Sequence, residues 1–224
     1  MAGDDVRYLF FVCEIRHEVL PAWRETVDQQ RALLAVIEAR GWRPASENVV
    51  VPALTVTTPR PPYGALTIQV GTERIFLAFD HLASTVGIGP VLGELANELW
   101  DAGHRLPITR LGIRVQWDRP VADTPRLGPA LNRASEDLLP GSPWDLTAIT
   151  AKQAIGEWAA ILNMTEDAPT DLTGIEFPGR PRRVLDVDLA QESVAPGMLT
   201  SLIEEAASEA ARLEREWERR LYGQ

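Results

Sequence analysis

The sequence contains very little cysteine and lysine. Cys13 is the only cysteine, so the chain cannot form an internal disulfide. This residue directly follows the apolar run 8–12, where we expect a free thiol to be a small buried hydrophobe rather than a nucleophile. Lys152 is the only lysine, and nearly all the positive charge is therefore carried by arginine. These two scarcities argue against a disulfide framework and against thiol catalysis.

Long apolar runs and an excess of positive charge are also absent. No segment approaches the roughly 20 apolar residues of a membrane span. The acidic, polar residues 1–5 have the wrong sign for a secretory signal peptide. The formal net charge of -10 disfavours a general nucleic-acid partner, because basic surfaces bind phosphate backbones. We therefore predict a cytoplasmic protein that binds neither membranes nor nucleic acids in general.

Histidines are few and are spaced poorly for binding metal. His17, His81 and His104 form no metal-ligand spacing on a helix. His17 and His104 flank the ends of predicted elements, where we expect them to be solvated. His81 follows Asp80 at a strand end, where a hydrogen bond is expected rather than an acid–base pair. The sequence predicts no metal and no cofactor.

The first half of the sequence alternates between strand and helix patterns. An unbroken apolar run makes 6–15 a strand that is buried on both faces and central in its sheet. A helix is predicted from Pro21 to Gly41 and a second one before Gly103. Further strands are predicted at 49–56, 66–70, 74–80 and 109–117. The resulting order, β-α-β-β-β-α-β, predicts an α+β fold with a ferredoxin-like theme and one extra strand.

The second half extends this theme. Residues 119–144 are rich in proline and predict a crossover. Residues 145–164 are ambiguous, because their alanines favour helix while 157–164 also fits a strand. Residues 183–189 alternate as a strand, and 196–222 form a long helix. An apolar stripe typical of a coiled coil runs along that helix, formed by Leu199, Ile203, Ala206, Ala210, Leu213 and Trp217.

Three parts of the chain follow from this pattern. Residues 1–118 form the ferredoxin-like portion, 119–144 the proline-rich crossover, and 145–224 additional strands and the long helix. We expect the last part to belong to the same domain as the first.

Three short motifs resemble a sporadically distributed bacterial family of unknown function. They are the Cys-Glu-Ile-Arg that begins at Cys13, the Arg-Leu-Gly-Ile-Arg that begins at Arg110, and the Leu-Asp-Val-Asp that begins at Leu185. The family usually continues its second motif with Tyr-Ile-Asn, whereas this chain has Val115-Gln116-Trp117. The resemblance implies no activity, and the scattered occurrence of the family implies an accessory or defence-linked role.

A glycine pattern precedes the second predicted helix. Gly87, Gly89 and Gly93 superficially match a dinucleotide-binding fingerprint, with Asp118 as a ribose-binding acid. However, 80–86 separate this pattern from the preceding strand, and Pro90 lacks an N–H group that a phosphate would need. We therefore expect these glycines to mark the start of a helix.

Charged residues share one face of three predicted strands. Arg110 and Arg114 are four residues apart, whereas Asp186 and Asp188 are two apart, and side chains at even spacing lie on the same face of a strand. Glu14 and Arg16 form a third such pair. If the three strands are neighbours, these six residues form a face that is solvated, an interface with a subunit or partner, or an anion- or metal-binding site.

Two functions are compatible with these observations. The long stripe helix and the charged sheet face favour a non-catalytic interaction or assembly protein that associates with itself or with a protein partner. The alternative is a small-molecule or metal-binding protein, or an enzyme, with a polar site on that face.

Overall fold

The computed structural model describes ten parts of the chain. These are residues 7–18, 23–41, 44–48, 53–56, 66–70, 73–82, 87–102, 106–120, 148–167 and 182–222. Most of the predicted crossover (121–144) and His104 lie outside these residues. The side chains of Asp80, His81, Asp118 and Trp217 are likewise outside the description.

Nine strands and three helices make up the described fold. The strands are β1 (Arg7–His17), β2 (Pro44–Asn48), β3 (Ala53–Val56), β4 (Leu66–Val70), β5 (Arg74–Leu82), β6 (Ile108–Pro120), β7 (Ala148–Ile155), β8 (Trp158–Asp167) and β9 (Arg182–Glu192). The helices are α1 (Trp23–Ala39), α2 (Ile88–Ala102) and α3 (Leu199–Tyr222). The predicted α+β class and the long C-terminal helix are confirmed.

All nine strands belong to one antiparallel sheet. Their order is β2-β3-β4-β5-β1-β6-β9-β8-β7, and each neighbouring pair is antiparallel. β1 is the fifth of the nine strands and is therefore central in the sheet, as its apolar run predicted. Because β6 pairs with β9 over the whole length of β9, strands from both halves of the chain form one continuous sheet.

The structure corrects one sequence prediction and decides between two alternatives that another left open. Within the described residues, four strands and not three lie between α1 and α2, because Ala53–Val56 of the predicted strand 49–56 pairs with a further strand, Pro44–Asn48. In the region 145–164, which fits either helix or strand by sequence, the described residues are strands, and β7 and β8 form a hairpin. Gly156 provides its turn at a φ of 57°, the left-handed conformation that a two-residue turn requires at its first central position. Pairing with β9 outweighs the helix propensity of the alanines.

The helices cover one face of the sheet. Odd-numbered residues of β1 and β6, such as Cys13, Ile15 and Ile113, share a core with residues of α2 and α3. The apolar stripe of α3 belongs to the same core, since Leu199, Ile203 and Ala206 are fully buried. From Leu199 to Leu213 the stripe therefore packs inside the chain and is not a free surface for a partner helix.

Close contact between α2 and α3 explains two glycines. A Cβ atom on Gly93 would lie 3.0 Å from the Cα atom of Thr200, and one on Gly89 would lie 3.1 Å from the Cβ atom of Ala207. Contacts this short are tighter than most real Cβ contacts, so a side chain at either position would require the neighbouring helix to shift. Gly87, with a φ of 77°, is the residue that precedes the helix. The glycine pattern thus combines the expected helix start with a helix crossing that the sequence did not predict.

None of the helices in the described parts of the chain combines the length and the apolarity that a membrane crossing requires.

Candidate functional site

The face of the sheet that points away from the helices carries the charged residues; we call it the polar face. Because side chains alternate along a strand, even-numbered residues of β1, β6 and β9 lie on this face. Val12 is opposite Arg114, and Arg114 is opposite Asp188. Strands β1, β6 and β9 are direct neighbours, so the polar face contains all six predicted residues. Their role as a ligand site or an interface stays a prediction.

A cavity of about 240 Å³ opens on the polar face. Its apolar lining comes from Phe10, Val12 and Phe76, of which the first two are 4% and 7% exposed. Five of the six predicted residues provide its charged lining: Glu14, Arg16, Arg110, Arg114 and Asp188. Cavities that hold drug-sized ligands usually measure about 300–1,000 Å³. This cavity therefore suits a smaller molecule.

The sixth residue, Asp186, lies beside the cavity and is paired with Arg114. The guanidinium Nε of Arg114 donates to both carboxylate oxygens of Asp186, at 2.9 and 3.1 Å, and its Nη2 donates to Oδ2 at 2.5 Å. Asp186 is only 6% exposed, so this fork-shaped pair provides the counter-charge that a buried carboxylate needs. The hydrogen bond to Asp186 raises the pKa of Arg114. The guanidinium carbon also lies 5.4 Å from the centre of the Phe10 ring.

Asp188 has a different environment, although it is only two residues away on the same strand. It is half-buried, and within the described residues its carboxylate forms no hydrogen bond or ion pair. Burial raises the pKa of Asp188, and the positive charges of Arg110 and Arg114 only partly oppose that rise. Asp188 is therefore a carboxylate on the cavity wall whose burial is only partly offset by the neighbouring positive charges.

Three arginines lie side by side at one end of the cavity. Arg16 is directly opposite Arg74 on β5 and directly opposite Arg110 on β6. Like charges in this arrangement destabilise a sheet unless counter-charges lie nearby. Glu14 provides one, with its carboxylate 2.5 Å from Arg16 and 3.6 Å from Arg74. The one ion pair that Arg110 forms with a described residue is a 3.6 Å contact with Glu192, whose side chain is 74% exposed.

Gly112 lies between Arg110 and Arg114 on the cavity lining. A Cβ atom there would meet nothing closer than the carbonyl oxygen of Glu14, at 3.9 Å, and Gly112 does not adopt a positive φ. Neither crowding nor backbone conformation therefore requires glycine at this position. A glycine within a strand often marks a place where another group approaches the backbone closely.

The described residues of the polar face provide few side chains that could act as metal ligands. No group of three or more His, Cys, Asp or Glu side chains that could hold a metal occurs within the described residues. Both oxygens of Asp186 already accept hydrogen bonds from Arg114, so Asp186 and Asp188 are not a free pair of ligands. Cys13 is fully buried, and burial raises the pKa of its thiol far above the usual range.

One histidine prediction is wrong. His17 is 3% exposed rather than solvated, because β1 continues to this residue and Trp100 of α2 packs against it. The two ring centres are 5.8 Å apart in an edge-to-face arrangement. Nδ1 of His17 lies 2.7 Å from the carbonyl oxygen of Glu18, and Nε2 is buried without a partner within the described part of the chain. Burial lowers the pKa of His17.

Some of the cavity residues were not predicted from the sequence. Phe10 and Val12 look like core residues in a continuous apolar run, and Phe76 lies in an ordinary strand pattern. Only the period-two alternation of β1 places Phe10 and Val12 on the same face as Glu14. That signal is weak, because the odd-numbered residues of this run are equally apolar.

No protein-family model matches the chain, and a search of curated proteins finds no relative. The resemblance to a sporadically distributed bacterial family therefore stays a prediction.

Proposed function

We propose that this chain is a non-catalytic binding protein whose ligand site is the cavity on the polar face. The main support is the convergence of charged side chains from β1, β6 and β9 on one cavity, where Asp188 forms no hydrogen bond or ion pair with any described residue. A face that is merely solvated would leave its charges exposed to water and would not partly bury an unpaired carboxylate. The apolar lining by Phe10, Val12 and Phe76 favours binding further, because small-molecule sites combine apolar walls with a few convergent polar groups.

A thermal-shift screen tests this proposal. The panel comprises amino acids, amines, carboxylic acids, phosphates, nucleotides and divalent metals. A ligand present at a hundredfold excess over its Kd stabilises the native state by about 2.7 kcal/mol, which is a shift of several degrees for a chain of this length. We expect at least one organic compound of the panel to produce such a shift.

Gly112→Val is the matched control for this screen. Valine suits a strand, and its side chain would occupy the cavity above Gly112. We expect the variant to melt no lower than the wild type and to lose the response to the ligand. If no compound stabilises the wild type, or if Gly112→Val responds as strongly as the wild type, the proposal is wrong.

A protein partner is the second candidate function, and edge strand β7 favours it. β7 is the last strand in the sheet order, and Thr150, Lys152 and Gln153 on it are exposed. A strand from a second chain could pair with such an edge. The stripe of α3 no longer supports this candidate, because its residues from Leu199 to Leu213 are buried within the chain. Light scattering that shows a monomer at all concentrations would contradict self-association.

Two finer assignments belong to the same proposal. We infer a ferredoxin-like relationship for the first half of the chain, and the order β4-β5-β1-β6 supports it, with α1 following β1 and α2 following β5. We also propose the cytoplasm as its compartment, supported by the single, buried cysteine. Any accessory or defence-linked role rests on the family resemblance.

A further inference from the structure

The charges around the cavity are balanced in number. Arg16, Arg110 and Arg114 line the cavity together with Glu14 and Asp188, and Asp186 adds a third carboxylate through its pairing with Arg114. A surface with equal numbers of opposite charges creates no strong net field for a polyanion or a polycation. The ligand of such a site is therefore expected to have little net charge.

These charges lie in two rows that cross the strands, and the guanidinium of Arg114 in the second row is bound by Asp186. Arg16 and Arg110 are opposite each other in one row, and Arg114 and Asp188 are opposite each other in another. Gly112, in the row between them, is opposite Glu14, which already contacts Arg16 and Arg74. The cavity thus has an arginine end with spare hydrogen-bond donors and a carboxylate end at Asp188.

Neither end has a close ion pair of its own within the part of the chain that the structure describes. At the arginine end, the one ion pair of Arg110 among the described residues is its long contact with the exposed Glu192, so its guanidinium can donate to a ligand carboxylate. At the other end, Asp188 has no hydrogen-bond or ion-pair partner within the described residues, so an ammonium or guanidinium group would supply the missing positive charge. The half-buried ring of Phe76 can contact the aliphatic part of the ligand or the face of its cation.

From this arrangement we propose that the cavity binds a small zwitterion, with its anionic group at Arg110 and Arg16 and its cationic group at Asp188. Free amino acids, including β-alanine and 4-aminobutanoate, are the simplest members of this class. Gly112 leaves room for the segment of the ligand that joins the two charged groups. This inference rests on the proposed function, because it names the class of ligand for the same site.

Isothermal titration with amino acids tests the inference. For each amino acid that binds, the amide removes the anionic group and the N-acetyl derivative removes the cationic group. A hydrogen bond to a charged group contributes about 1.5–3 kcal/mol, so we expect each derivative to bind about tenfold more weakly or worse. Because the derivatives change the ligand and not the protein, this comparison does not depend on whether a variant folds.

Two variants assign each end of the ligand. Asp188→Asn should weaken the parent amino acid about tenfold and leave the affinity for its N-acetyl derivative unchanged. Arg110→Gln should weaken the parent similarly and leave the affinity for its amide unchanged. A reversed pattern would overturn the proposed orientation of the ligand.

The class of ligand fails if no amino acid binds, or if simple amines or carboxylates bind as tightly as the zwitterion. This outcome differs from failure of the proposed function, in which no compound of the wider screen stabilises the protein. Binding of a phosphate or a metal in that screen, with no response to amino acids, would overturn the zwitterion alone.

Discussion

Glycine has opposite roles in the helix layer and on the polar face of the sheet. In the helix layer, Gly93 of α2 lies against the backbone of Thr200 of α3, and a Cβ atom on Gly93 would come within 3.0 Å of that backbone. On the polar face, Gly112 has free space above it, and a Cβ atom would reach only ordinary contact distances. One glycine closes a packed core, while the other leaves an open cavity. The comparison shows that a glycine indicates function only when packing does not already require it.

Two carboxylates on the polar face, Asp186 and Asp188, differ in a similar way. Asp186 is nearly fully buried but held by three hydrogen bonds from Arg114. Asp188 is less buried but has no hydrogen-bond or ion-pair partner within the described residues. A structural carboxylate and a candidate ligand-binding carboxylate therefore lie two residues apart on the same strand.

The largest effect is expected for Arg114→Ala. Removing this guanidinium leaves Asp186 buried without a counter-charge, and the free energy of unfolding should fall by about 2–3 kcal/mol. Urea denaturation at neutral pH measures it. Arg110→Ala is the matched control, and its loss should stay below about 1 kcal/mol, because its partner Glu192 is exposed.

A second substitution distinguishes the loss of the whole Arg114–Asp186 pair from the loss of Arg114 alone. Asp186→Asn, introduced into Arg114→Ala, should recover part of the lost stability, because no buried charge is then left unpaired. Equal, small losses for Arg114→Ala and Arg110→Ala would mean that Asp186 is solvated, and the contrast with Asp188 would disappear.

The same Gly→Ala change should have opposite effects on the free energy of unfolding at Gly93 and at Gly112. Gly93→Ala forces α2 and α3 apart, and overpacking should destabilise the protein by about 1–2 kcal/mol net of the gain in helix propensity. Gly112→Ala should be neutral or stabilise by up to about 1 kcal/mol, because it removes backbone entropy from the unfolded chain. Parallel denaturation curves compare the two, and the same sign at both positions would contradict the account.

A smaller effect is expected from pH. The pKa of His17 is lowered from its ordinary value of 6.5, chiefly by burial. The unfolded chain therefore binds this proton more readily than the folded one. The stability contribution of neutral His17 is present above pH 6.5 and is lost as the pH falls towards the lower folded pKa.

His17→Phe removes this titration. The variant should lose less stability than the wild type between pH 7 and pH 5, and denaturation at several pH values measures the difference. Parallel pH profiles would show that His17 becomes protonated without cost, contrary to its burial beside Trp100.

The smallest effect is expected for Asp188→Asn. Because burial raises the pKa of Asp188, its negative charge disfavours the folded state at neutral pH. The variant should gain less than about 1 kcal/mol, since a half-exposed charge is screened. The gain should vanish once the pH falls below the ordinary value of 3.8, where the carboxyl group is protonated in both states. A loss of stability at neutral pH would mean that Asp188 has a favourable partner.

Much of this arrangement was predictable from local patterns. The alternation along β6 shows that Arg110 and Arg114 share a face, and the two-residue spacing shows the same for Asp186 and Asp188. The continuous apolar run of β1 indicated a central strand. Each of these signals depends only on the period of two along a strand, which the amino-acid sequence displays directly.

Other features depend on pairings that no local pattern displays. The β7–β8 hairpin is stabilised by its contact with β9, against the helix propensity of its alanines. The register of β6 on β9 places Arg114 directly opposite Asp188, yet its guanidinium binds the diagonal neighbour Asp186. This choice gives the two carboxylates their different environments. The reason for Gly93 lies in a helix more than a hundred residues further along the chain. Local periodicity contains none of this information.

The most direct measurement is a backbone amide NMR titration of the whole chain with the best-stabilising compound of the thermal-shift screen. The account predicts chemical-shift changes concentrated at Gly112, Phe76 and Asp188, with Gly93 and Thr200 unaffected. Changes centred on the α2–α3 contact, or none at any residue of the polar face, would contradict it.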